Sequence, residues 1–152
     1  MTRLHLSSRI IIAIMVSARR IVLTEQDLAR LRGLVAQHAT GKNAKESEAL
    51  EAELDRAEVV APTDIPPDVV TMNSRVRFVD EGTGEEHEAT LVYPSDANVN
   101  EWRISVLAPI GAALLGLSIG QFIDWPMPDR ATKRLRVVSV LYQPEAAGEF
   151  HR

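Results

Sequence analysis

Three prolines within six residues, Pro62, Pro66 and Pro67, constrain this chain more than any other feature. No helix runs through such a stretch, and each proline biases the residue before it towards extended backbone. Residues 62–68 therefore read as a linker between two pieces that fold by different rules. Before it, apolar residues recur at helical spacing; after it, they alternate as in strands. The charges differ too: of 17 basic and 21 acidic residues, 9 and 8 precede Pro62, which leaves 8 basic and 13 acidic from there on.

The N-terminal piece opens on an extension, residues 1–19, rich in arginine. Arg3, Arg9, Arg19 and Arg20 surround the apolar run Ile10–Val16, with no acid in the first twenty residues. A run of seven is the lower limit for a signal peptide and far short of the about 20 residues that span a membrane. The simpler account is that Met15 is the true start and the protein is cytoplasmic, which sets Met15 against Met1. Residues 20–61 then form a short strand, near Arg20–Leu23, and two helices. Leu28, Leu31, Leu34 and Val35 share one face of a helix over 25–37, and Thr24 with Asp27 resembles a capping box. Residues 38–43 carry the stop signals, and Ser47 is placed to cap a second helix containing Leu50, Leu54 and Ala57. Two such helices joined by a short polar loop make an antiparallel hairpin.

Beyond the linker, Val76 and Phe78 alternate with Arg75 and Arg77. The Gly-containing turn over 80–84 then leads to a return strand at Ala89–Tyr93, which makes a β-hairpin. Further strands are expected at 102–107, 122–125 and 135–142, with a short helix over 110–117. The class is α+β with an antiparallel or mixed sheet.

Enzyme chemistry leaves no trace. Phosphate-loop, nucleophile-elbow, zinc-protease and dinucleotide motifs are all missing, and the chain has no cysteine. The four histidines, His5, His38, His87 and His151, lack metal-ligand spacing and read as surface residues, so neither metal nor cofactor is expected. Asp80, Glu81, Glu85, Glu86 and Glu88 lack the ligand spacing of a calcium loop and read as a solvated hairpin tip. Trp102 and Trp125 fit either a ligand pocket or the core, and in a chain with so few aromatics the core is the better reading. At a net charge of −4 the chain gains little from counterion release on nucleic acid. A protein partner is expected rather than a specific nucleic acid or a membrane.

Two segments carry a resemblance: Val69–Val76, and Val106-Leu107-Ala108-Pro109-Ile110-Gly111-Ala112-Ala113-Leu114-Leu115-Gly116-Leu117-Ser118-Ile119-Gly120. With Ala52–Ala57, Thr90–Pro94 and Tyr142–Gly148, they resemble the Gre transcript-cleavage factor superfamily. Within it, the chain is most similar to the regulators of nucleoside diphosphate kinase. The resemblance implies a short N-terminal antiparallel coiled-coil hairpin followed by an FKBP-like C-terminal domain over 69–152. It also implies a partner, RNA polymerase, bound near its secondary channel in competition with Gre-type factors, with an influence on nucleoside diphosphate kinase levels. The chain would then be no enzyme; the alternative that the fold suggests is an FKBP-like peptidyl-prolyl isomerase. Pro109 and Ile110 fall where the family meets polymerase, and they are either core or partner contact. The hairpin tip departs from the cleavage factors, whose acidic tip helps hold a catalytic magnesium ion. Here Lys42, Asn43 and Lys45 stand in the turn and no acid does. Gln121 is a smaller departure, where many relatives carry Asp.

Overall fold

The computed structural model describes residues 21–126 and 132–151. The N-terminal extension, and with it the choice between Met1 and Met15, lies outside them. The first strand, β1 (Val22–Thr24), runs directly into helix α1 (Glu25–Gln37), the span that its periodicity predicted. Thr24 caps this helix, its side-chain oxygen accepting the Asp27 N–H at 3.0 Å. Helix α2 (Ala44–Arg56) returns antiparallel, since Val35 near the end of α1 meets Ser47 at the start of α2, and Arg32 pairs with Asp55 at 2.6 Å. Leu31 and Val35 bury against Leu50 and Leu54.

Ser47 is not the cap that the sequence suggested. The helix begins three residues earlier, with Asn43 flanking it and offering no side-chain cap. Ser47 is instead buried and donates its hydroxyl to the Val35 carbonyl at 2.9 Å. That carbonyl lies in the last turn of α1, where no further intrahelical donor is available. Replacing Ser47 with Ala should therefore cost about 1 to 2 kcal/mol by orphaning it, a fall of about 2 to 8 °C in melting temperature. Thermal unfolding of Ser47→Ala checks this.

A strand missed in the sequence, β2 (Glu58–Val60), pairs parallel to β1, Val22 opposite Glu58. The proline stretch that follows forms a short 3-10 turn, Pro62–Asp64, and packs: Ile65 and Val69 bury against Val22. Five further strands form a mixed sheet in the order β5-β4-β3-β7-β6. They are β3 (Arg75–Asp80), β4 (Glu86–Val92), β5 (Arg103–Ser105), β6 (Phe122–Pro126) and β7 (Thr132–Tyr142). β4 and β5 run parallel and the other pairs are antiparallel. The β3–β7 register passes over Val138 and Leu141, and both of these bulge residues are exposed. Helix α3 (Pro109–Leu114) is shorter than expected and is followed by Gly116 in the left-handed region, φ +79. One continuous core joins Leu31 and Leu50 of the hairpin to Met72, Phe78, Leu91, Leu114 and Val137.

Three readings of the sequence need correction. Trp102 is not core; it is 47% exposed, for a reason that lies in its backbone. The acidic cluster is solvated only in part: Asp80 is buried beside Lys133, Glu81 pairs with Arg136, and Glu88 takes hydrogen bonds from Arg77 and Arg75 that hold its carboxyl below the ordinary range. His87 is half-buried, stacked on Trp102 at 5.0 Å and tilted against Phe78. The side chain of Trp125, like His5, falls outside what is described.

Candidate functional site

Ser105 ends β5 and organises the start of α3. Its hydroxyl accepts the Leu107 N–H and its carbonyl the Ala108 N–H, both at 3.0 Å. Pro109 then occupies the first helical position, where its missing N–H costs nothing and its fixed φ suits the helix. The chain turns this tightly because Gly111 has no side chain. A Cβ there would lie 2.9 Å from the Ser105 carbonyl carbon and 3.2 Å from Val106 Cα, and closer still to the carbonyl oxygen. Pro109 is left exposed, while Ile110 is half-buried against the core. The pair thus differs in exposure: Pro109 is open to solvent and Ile110 packs in part on the core.

The hairpin tip is a separate place. Gly41 turns the chain at φ +105, and the Ala44 N–H reaches back to the Gly41 carbonyl at 3.3 Å. Lys42 and Lys45 are exposed, Asn43 is half-buried, and no carboxylate lies between His38 and Lys45. Two ammonium groups in the turn repel a metal cation rather than hold one. Among the described residues no group of three or more His, Asp or Glu is placed to bind a metal ion. The tip stands one helix length from the β1–β2 base, roughly 20 Å, on a different element from Pro109. Helix α2 nevertheless packs against α3, so the hairpin and the Pro109 helix are braced together.

What braces them further is a buried polar junction that sequence reasoning missed. Asp27 gives its N–H to the Thr24 cap, while its carboxylate accepts the Met72 N–H at 3.1 Å. At 2% exposure it is nearly dehydrated, and burial raises its pKa to about 7 against the opposing Met72 hydrogen bond, with Glu145 adding to the rise and Arg30 opposing it. Burial, and after it the Asp27 charge, push Tyr93 up to about 12. Beside them Thr71 donates to Glu145 at 2.7 Å, and Gln143 donates to the Pro66 and Val69 carbonyls, each at 2.8 Å. Backbone bonds complete the seam: Val22 N–H to Gly116, Val70 N–H to Leu117 and Gly116 N–H to Val70. Gln121 keeps a structural role, accepting the Ser118 N–H at 2.7 Å. The one signal for the junction in the sequence was an acid on the apolar side of α1.

An open trough of about 1010 Å³ lies at the β5 side of the sheet, with Arg75, Glu88, Tyr93, Trp102, Arg103 and Tyr142 among its walls. Neither Pro109 nor any tip residue reaches it. No helix of the described residues is long and apolar enough to cross a membrane.

Comparison with known proteins places the two halves in one lineage. Residues 65–142 match the family model described as the C-terminal part of transcription elongation factor GreA/GreB, and residues 19–60 match the one described as Rnk N-terminus. The chain is 44% identical over 130 residues to the regulator of nucleoside diphosphate kinase of Escherichia coli K12, covering 86% of this chain and 95% of that one. It is 31% identical over 123 residues to transcription elongation factor GreA of Thermodesulfovibrio yellowstonii, covering 76% and 77%. Among solved structures, a GreA/GreB transcription elongation factor from Nitrosomonas europaea is similar with a TM-score of 0.68 and 47% identity, over 82% of this chain and 99% of that chain.

Proposed function

Since this chain belongs to the family of regulators of nucleoside diphosphate kinase, a branch of the GreA/GreB family, we propose that it is a non-catalytic transcription regulator that binds RNA polymerase near the secondary channel. The observation that carries this reading is the hairpin: two helices of 13 residues each, with Lys42 and Lys45 at the tip where a cleavage factor needs acids. A hairpin of roughly 20 Å is too short to carry a tip into the polymerase active centre, and a basic tip has nothing with which to hold a catalytic cation. The protein therefore occupies the site without performing the chemistry and competes there with Gre-type factors. The domain of residues 69–152 supplies most of the affinity, with Pro109 as its exposed contact and Ile110 behind it. Effects on nucleoside diphosphate kinase levels follow from transcription in the cytoplasm. The isomerase alternative finds no support among relatives named as regulators and elongation factors.

The test is displacement. A cleavage factor labelled on its coil and bound to core RNA polymerase should be released by this protein, without any transcript cleavage above the polymerase's own rate. Retention of the labelled factor at saturating protein, or stimulated cleavage, would overturn the reading.

A further inference from the structure

The two most exposed large apolar side chains among the described residues, Val99 at 87% and Trp102 at 47%, sit on one turn between β4 and β5. This turn is built rather than slack. The Asn98 and Arg103 backbones exchange two hydrogen bonds at 3.0 Å, and Trp102 N–H donates to Val99 at 3.1 Å. The Asn98 side chain accepts from the Asn100 N–H and donates to Glu101. Closing the turn puts Trp102 in the left-handed region, φ 54 and ψ 36. A bulky residue in that region is strained, and glycine or asparagine would hold the same backbone more easily. The fold thus bears two costs at one position, a strained backbone and a large aromatic ring half in water. Strain held in place by surrounding hydrogen bonds is a mark of a presented functional group.

Charge selects the kind of partner. In and beside the adjoining trough, Glu88 and Glu86 are closed on Arg75 and Arg77, two acids on two bases. Around the indole that leaves Asp96 and Glu101 against Arg103, all three exposed. Two acids to one base disfavour a phosphate backbone and favour basic protein side chains, to which the indole adds a cation–π surface. We propose that the Asn98–Arg103 turn is a second docking element, a preorganised Trp102–Val99 anchor for a protein surface whose apolar pocket is rimmed by Lys or Arg. The proposal rests on the reading above, in which that surface belongs to RNA polymerase. A pre-formed aromatic anchor loses little entropy on binding, which is why such residues dominate interface affinity.

The experiment measures binding of the full chain to core RNA polymerase together with its melting temperature. Trp102→Gly removes the ring while accepting the left-handed backbone, and should weaken binding about tenfold or more with the fold intact. Trp102→Phe should retain much of the affinity. Asp96→Lys with Glu101→Lys, a surface change that leaves the turn's backbone bonds in place, should also weaken binding, and more so at low salt. Unchanged affinity in either Trp102→Gly or the charge reversal overturns this proposal alone. So does binding of a single-stranded oligothymidylate that Trp102→Gly abolishes, which would assign the anchor to nucleic acid. Failure of the unaltered protein to bind polymerase overturns the proposal and the reading beneath it.

Discussion

Through Asp27 the protein should lose stability as pH rises from about 4 to about 7, and Asp27→Asn should abolish that part of the loss. Asp27 ionises near 3.8 in an unfolded chain and at about 7 in the folded one, because burial penalises its charge more than the Met72 N–H can offset. A carboxyl whose folded pKa is raised binds its proton more tightly in the native state. Its contribution is fully present below pH 3.8 and is lost as pH rises through about 7. At one pH unit per 1.36 kcal/mol, the total reaches at most roughly 4 kcal/mol. Asparagine keeps an oxygen for the Met72 N–H and never ionises. Urea unfolding at pH 5 and pH 8 should therefore show the unaltered protein weaker at the higher pH, with Asp27→Asn gaining on it there. An equal response of the two proteins to pH would remove the ionised Asp27 from the account. The effect bears on geometry, since this carboxylate ties α1 to the turn before β3, whose neighbour Val70 bonds to Gly116 and Leu117 just after the Pro109 helix.

Gly111→Ala should cost about 3 kcal/mol or more. The new methyl would overlap the Ser105 carbonyl and press on Val106 Cα, and backbone cannot swing aside as a long side chain can. Ser105 holds the Leu107 and Ala108 N–H groups, so any shift propagates to the presentation of Pro109. The melting temperature should fall by about 6 to 12 °C. Gly33→Ala is the control, because a Cβ there meets nothing within 4 Å and the residue lies inside α1, where alanine is the better helix former. A fall no larger for Gly111→Ala than for the control would show that the contact is relieved cheaply.

The helical hairpin was legible because its information is local. Leu31, Leu34 and Val35 recur at helical spacing, Thr24 stands one residue before Glu25, and the sequence alone placed α1 at its observed bounds. The β3–β4 hairpin was legible for the same reason, through the alternation of Val76 and Phe78 and the glycines of its turn. Resemblance added the lineage, which no periodicity contains. Ser47 was misread because a serine before an apolar run signals a cap whether or not the helix has already begun. Its real partner, Val35, lies twelve residues back on another helix.

What the tertiary structure alone decided shares one physical character: each feature depends on residues far apart in the chain. Glu58–Val60 becomes a strand only because β1 offers it a parallel edge, and three residues have too little pattern of their own to announce it. Asp27 becomes a buried, hard-to-ionise carboxyl only when Met72, 45 residues on, closes over it. Trp102 faces outward because the ladder between Asn98 and Arg103 closes the turn in a left-handed conformation, and that overrides the hydrophobicity by which the residue had been counted as core. Local propensity and periodicity are written along the chain; desolvation, strain and long-range pairing are properties of where the chain is when it has folded.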